Sequence, residues 1–170
     1  MQTGFLQGVD IVLGDDTLVT IENPNTPGQE DRNFNEIECW DIQNNRYVYR
    51  NELTETTENV NSNLVKITLG YSIEKNNIQE YQSLVLGSNT LVYVNKNADN
   101  ATGTWKTASQ LLSSDLLTDQ ENIMESQPSN ILILSIDTEY QESSDKTLHS
   151  FNLSVQNLAM FVNNVCIKFE

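Results

Sequence analysis

Short apolar and β-branched runs, punctuated by Asn, Asp, Ser and Gly, recur along the whole chain. That rhythm leaves little room for anything but strands. Residues 9–13, the turn Gly14-Asp15-Asp16 and residues 17–21 read as strand, tight turn and strand. Residues 36–42, Asn44-Asn45 and residues 46–50 read as a hairpin, and residues 64–69 alternate as a half-buried strand does. Residues 84–86 and 91–94 flank Gly87-Ser88-Asn89, and residues 131–136, 149–155 and 161–169 supply the closing strands. Residues 23–35 and 95–103 are expected to be loops, and 121–129 a polar connector. Only one segment is expected to be helical. There Thr107 can cap a short turn that puts Ala108, Leu111 and Leu112 on one face, with Trp105 as its anchor. No internal repeat is present. The expectation is one all-β domain spanning residues 1–170, barrel-like or sandwich-like.

Charge narrows the functional classes. Nine Lys+Arg against 24 Asp+Glu give −15 at pH 7, which repels phosphate before any specific contact forms and argues against nucleic acid as a partner. The 38% hydrophobic content is too high for a disordered acidic tail and suffices for a single core. The 22 asparagines supply surface polarity and turns. The longest apolar run, residues 158–162, falls far short of the roughly 20 residues of a membrane helix, so no membrane partner is expected. No basic, then apolar, leader pattern opens the sequence, so no secretory signal is expected. Cys39 and Cys166 lie far apart in strand-like contexts and are expected to be buried thiols rather than a disulfide. Glycosylation triplets at Asn100 and Asn152 are expected by chance in so Asn-rich a chain.

The residues offer little chemistry of their own. Zinc needs clustered His and Cys, but His149 is the sole histidine and the cysteines lack ligand spacing. The acidic stretches 52–58 and 115–125 lack the spacing of a calcium loop and read as solvated surface. Phosphate-cradling glycine loops and a strand-turn-helix nucleophile elbow are absent, so no cofactor is expected. Beside a strand, His149 is expected to be a packing or surface residue rather than a catalytic one.

The chain opens with Gly4-Phe5-Leu6-Gln7-Gly8, an apolar strand, Asp15-Asp16 and a strand closing on Ile21-Glu22. A strand ending in Asp41 follows, then Leu84-Val85-Leu86-Gly87-Ser88-Asn89-Thr90-Leu91-Val92. Trp105, Ala108, Leu111 and Asp115-Leu116-Leu117 come next. Phe151-Asn152-Leu153-Ser154-Val155 and residues 161–167 close the series. In this order, over residues 4–169, these segments resemble the Hint domain, the self-processing β fold of inteins, hedgehog C-terminal domains and bacterial intein-like domains. The corresponding family forms are a nucleophile (usually Cys) then Phe-x-x-Gly, a strand with Thr-x-x-His, Trp-x-x-Ala-x-x-Leu before Gly-Asp, an aromatic-Asn-Leu-x-Val strand, and Asn-Gly before the last strand. Ser114 stands where Gly is usual. The resemblance implies a compact horseshoe-like or barrel-like domain.

The same resemblance implies that the chemistry is gone. Gly4 occupies the position of the nucleophile that attacks the preceding carbonyl, and glycine has no side chain to attack with. Thr3 is out of register and would need an activating base. Gly87 replaces the usual Thr, and Thr90 replaces the His that protonates the leaving amide, which a hydroxyl does poorly at neutral pH. Lys168 and Phe169 fall where the terminal His-Asn pair would stand, and little chain flanks these positions to cut or join. The expectation is a non-catalytic structural or interaction protein with a protein partner, in a style of composition that suits a bacteriophage virion component. The alternatives are residual self-processing through a non-standard nucleophile, or an acidic mimic binding a basic surface. Tyr71, Tyr81 and Tyr140 lie in polar contexts as candidate interface anchors or as packing at the domain rim.

Overall fold

The computed structural model describes residues 2–13, 18–22, 36–49, 53–74, 77–97, 100–117 and 131–169. The strands are β1 Phe5–Leu6, β2 Val9–Val12, β3 Leu18–Ile21, β4 Cys39–Asp41, β5 Arg46–Val48, β6 Glu55–Asn59, β7 Leu64–Glu74 and β8 Asn77–Gly87. They continue with β9 Leu91–Asn97, β10 Asn100–Thr107, β11 Leu116–Leu117, β12 Ile131–Tyr140, β13 Thr147–Phe151, β14 Leu158–Val162 and β15 Val165–Lys168. Two 3-10 turns, Ala108–Gln110 and Leu153–Gln156, are the helical elements among the described residues.

A single antiparallel sheet runs β5-β4-β14-β15-β9-β11-β12-β7-β8-β1-β13-β6, with β10 on β9, and β2 and β3 form a separate hairpin. Strand β9 is the junction. Its Leu91 and Val92 pair with β15 and its Val94 and Asn95 with β11, so the two strands share one edge end to end while β10 takes the other. Among the described residues the path stops at β5 and β6 without closing into a barrel.

Alternation decides what each strand buries. On β7 Val65, Ile67 and Leu69 enter the main core, where they meet Leu84 and Leu86 of β8 and Phe5 of β1. Strand β14 is buried throughout because both its faces are covered. Leu158, Met160 and Val162 enter the main core, while Ala159 and Phe161 join Trp40, Tyr93 and Cys166 in a second cluster. Both cysteines are buried thiols, with no disulfide between them, and burial pushes the Cys166 thiol well up.

The structure departs from the sequence pattern in several places. Much of 95–103 is strand, not loop, because β9 runs to Asn97 and β10 starts at Asn100. Residues 161–169 are a hairpin rather than one strand, with Asn163 (φ 46°) and Asn164 (φ 71°) at its turn. Residues 149–155 end in the second 3-10 turn, and 52–58 contains a strand, β6. At the first 3-10 turn Thr107 makes no side-chain cap; Ala108 and Leu111 are buried, but Leu112 is 57% exposed. Trp105 packs edge-on against Tyr93 in the second cluster instead of anchoring that turn. The turn 14–16, the loop 23–35 and the connector 121–129 lie outside the described residues.

Candidate functional site

Strand β1 is only two residues long, yet it lies between β8 and β13, with Phe5 opposite Leu86 on one side and His149 on the other. Gly4 enters it at φ +135°, a conformation that side chains rarely adopt. A Cβ there would sit 2.8 Å from the His149 carbonyl oxygen. At the end of β8, Gly87 begins a tight turn closed by the Thr90 N–H donating to the Gly87 carbonyl at 3.0 Å. A Cβ on Gly87 would meet the Gln2 carbonyl oxygen at 2.4 Å. The two glycines therefore let two backbone segments approach more closely than any side chain allows.

Hydrogen bonds complete the lock. The Gly4 N–H donates to Thr90 Oγ1 at 2.9 Å, and Thr90 Oγ1 donates to the Gly4 carbonyl at 3.0 Å. That carbonyl also accepts the Gly87 N–H at 2.8 Å, and the Gln2 carbonyl accepts the Asn89 N–H at 3.0 Å. The side chain of Gln2, 6% exposed, donates to Glu58 Oε1 and to the Asn59 carbonyl. It accepts from the Asn61 N–H and from Ser62 Oγ. From the other side, Ala108 and Ser109 donate their N–H groups to the Thr90 and Ser88 carbonyls, which seats the first 3-10 turn on the same loop.

The remaining matched positions lie close by. Lys168 pairs with Leu91, the residue after Thr90, and its Nζ stands 4.5 Å from the Trp105 ring centroid. The Phe169 ring lies 6.3 Å from Phe5. Gly4, Gly87, Thr90, Lys168 and Phe169 are therefore brought to one neighbourhood. His149, distant from them in sequence, joins it. Its ring is fully buried and stacks on Phe5 at 5.7 Å. Its Nδ1 faces Glu55 Oε2 at 3.1 Å and its Nε2 faces Thr147 Oγ1 at 2.9 Å, so both nitrogens are engaged.

Chemically, the site binds itself. Thr90 has one proton and spends it on the Gly4 carbonyl, while its lone pair takes the Gly4 N–H. Thr3 is half-buried beside it. Sequence reasoning missed Gln2 and the neighbourhood of His149. The single signal available for Gln2 was its polar identity beside a buried strand. Among the described residues no group of three or more His, Cys, Asp or Glu is poised to hold a metal ion.

Of the three tyrosines, Tyr140 is half-buried, with Lys66 Nζ 5.1 Å from its ring centroid and its hydroxyl donating to Glu142. That hydrogen bond, with burial behind it, raises the phenol's pKa. Tyr71 and Tyr81 belong by backbone to β7 and β8, and their side chains lie outside the described residues. A shallow polar hollow of about 310 Å³, lined by residues 60–63, Gln141, Glu142 and Ser144, adjoins Tyr140 and the Gln2 anchor. No family model matches the sequence, and no curated protein matches it either.

Proposed function

We propose that this chain is a non-catalytic structural or interaction protein on a degenerate Hint-like fold, and that its setting is a bacteriophage virion. One observation carries the first part. The positions that would bear the nucleophile, the threonine and the histidine of a Hint centre lie together as Gly4, Gly87 and Thr90, tied by direct hydrogen bonds. They are also closed to new side chains at both glycines. The convergence supports the fold reading. The closure supports inactivity, because an acyl shift needs a side-chain nucleophile next to the scissile carbonyl. The virion setting is supported only by the style of a small, acidic, Asn-rich β chain, and its partner is another protein.

Self-processing is tested with the chain carrying an N-terminal extension of about 20 residues, incubated with dithiothreitol or hydroxylamine. One intact band is the expected result, and a nucleophile-dependent fragment contradicts inactivity. Co-purification with virus particles tests the setting.

A further inference from the structure

His149 is the chain's sole histidine, and its ring is fully buried. At that depth the neighbouring groups dictate which ring nitrogens carry a proton. Four side chains stand in a row: Glu55 on β6, His149 and Thr147 on β13, and Gln7 after β1. Glu55 Oε2 lies 3.1 Å from Nδ1, and Thr147 Oγ1 lies 2.9 Å from Nε2. The same Oγ1 lies 3.3 Å from Gln7 Oε1. Strand pairing sets this row: His149 is opposite Phe5 of β1 and Thr57 of β6, so Glu55, Thr147 and Phe151 share its face of the sheet. On that face of β1, β6 and β13, Glu55 is the charged group set against the ring. Glu58 lies on the other face of β6, with Gln2, and Lys146 precedes β13 and alternates with Leu148.

Donors can be counted along the row. The Thr147 N–H donates to Gln7 Oε1 at 3.2 Å, so that atom is an amide oxygen and an acceptor. The Thr147 hydroxyl therefore gives its one proton to Gln7, and its lone pair receives from the ring. Nε2 must then donate. At the other end a carboxylate only accepts, so Nδ1 must donate to Glu55. All three contacts are met at once only by a ring protonated on both nitrogens. Imidazole is a stronger base than a carboxylate, so the shared proton stays on the ring and the pair is imidazolium and carboxylate.

We infer that His149 is a proton-operated clasp whose second proton tightens the joint between the large sheet and the β2–β3 hairpin. When Nε2 gives that proton up to solvent, two protons remain for three contacts. The Thr147 hydroxyl turns to Nε2, now an acceptor, and the longest contact, to Gln7, is lost. Gln7 keeps its N–H on the Thr147 carbonyl and the Thr147 N–H on its side chain, so the joint loosens without opening. Gly8 follows at φ +93° and leads into β2, which places the change where the hairpin leaves the sheet. The clasp is closed at low pH and slackens as pH rises through the ring's titration. It stands on this geometry and not on the Hint-like reading.

NMR of the full chain tests this, because one histidine gives one imidazole signal. At about pH 5 both ring nitrogens are expected to carry protons, and beyond the titration Nδ1 alone. The Gln7 amide, relative to its intrinsic rate, should exchange about 2- to 10-fold faster above that titration than below it, the effect of one hydrogen bond. Thr147→Val uncouples Gln7 from the ring, and Thr147→Ser restores the coupling. Glu55→Gln lowers the pH at which the ring takes its second proton. If Thr147→Val does not fold, the ring nitrogen signals of the wild type and of Glu55→Gln decide. A ring that stays neutral down to about pH 5 overturns the proposal. A ring that titrates with no change at Gln7, or that ignores Glu55→Gln, overturns it too.

Discussion

A hydroxyl can accept a hydrogen bond and donate one at the same time, and Thr90 uses both capacities on a single residue, Gly4. A neutral imidazole ring nitrogen does only one of these. The Gly4 N–H depends on Thr90 alone among the hydrogen bonds of the site, whereas the Gly4 carbonyl has the Gly87 N–H as well. Thr90→Val therefore strands one buried donor and is expected to cost about 1–3 kcal/mol in urea unfolding. Thr90→Ser keeps the hydroxyl and should recover most of that loss. Equal stability of the Val and Ser variants would mean that the hydroxyl contributes nothing.

Elements whose strands alternate apolar and polar residues against a covered face were legible, as with β2 and β7. Elements that owe their strand geometry to a neighbour were not. Strand β6 contains only Glu, Thr and Asn, and pairing with β13 rather than apolar burial makes it a strand. The Asn-rich ends of β9 and β10 read as a loop for the same reason. At Gly103 the two strands fit because the Tyr93 ring lies where a side chain would stand and its hydroxyl takes the Gly103 N–H. The turn between β4 and β5 was legible from Asn44-Asn45, but its electrostatics were not. There the Asn44 amide groups hold the Asp41 carboxyl below the usual carboxylate range, against an opposing effect of burial and with help from Arg46. With the folded pKa below the unfolded value of about 3.9, Asp41 contributes stability in full above that pH. The contribution is lost as pH falls through the folded value. Acid titration of the melting temperature should thus show a shallower decline in Asp41→Asn than in the wild type; an unchanged slope contradicts the assignment.

At the scale of the whole molecule, the site's sequence positions are widely separated, and the sheet path alone brings them together. The pairing of β1 with β8 sets Gly4, just ahead of β1, against Gly87 at the end of β8, and the pairing of β15 with β9 brings Lys168 next to the turn. That Gly4 and Thr90 carry no thiol and no imidazole is legible from single residues. The close approach of their backbones is not, because it depends on Gln2, ahead of β1, reaching the end of β6 and the loop after it. Native-state hydrogen exchange at the Gly4 amide measures how tightly Thr90, Gly4 and Gly87 are closed. A sealed centre predicts that this amide exchanges only when the whole molecule unfolds, with the free energy of global unfolding, and that Thr90→Val speeds its exchange. Exchange of Gly4 at the rate of an open loop in the wild-type protein would contradict it.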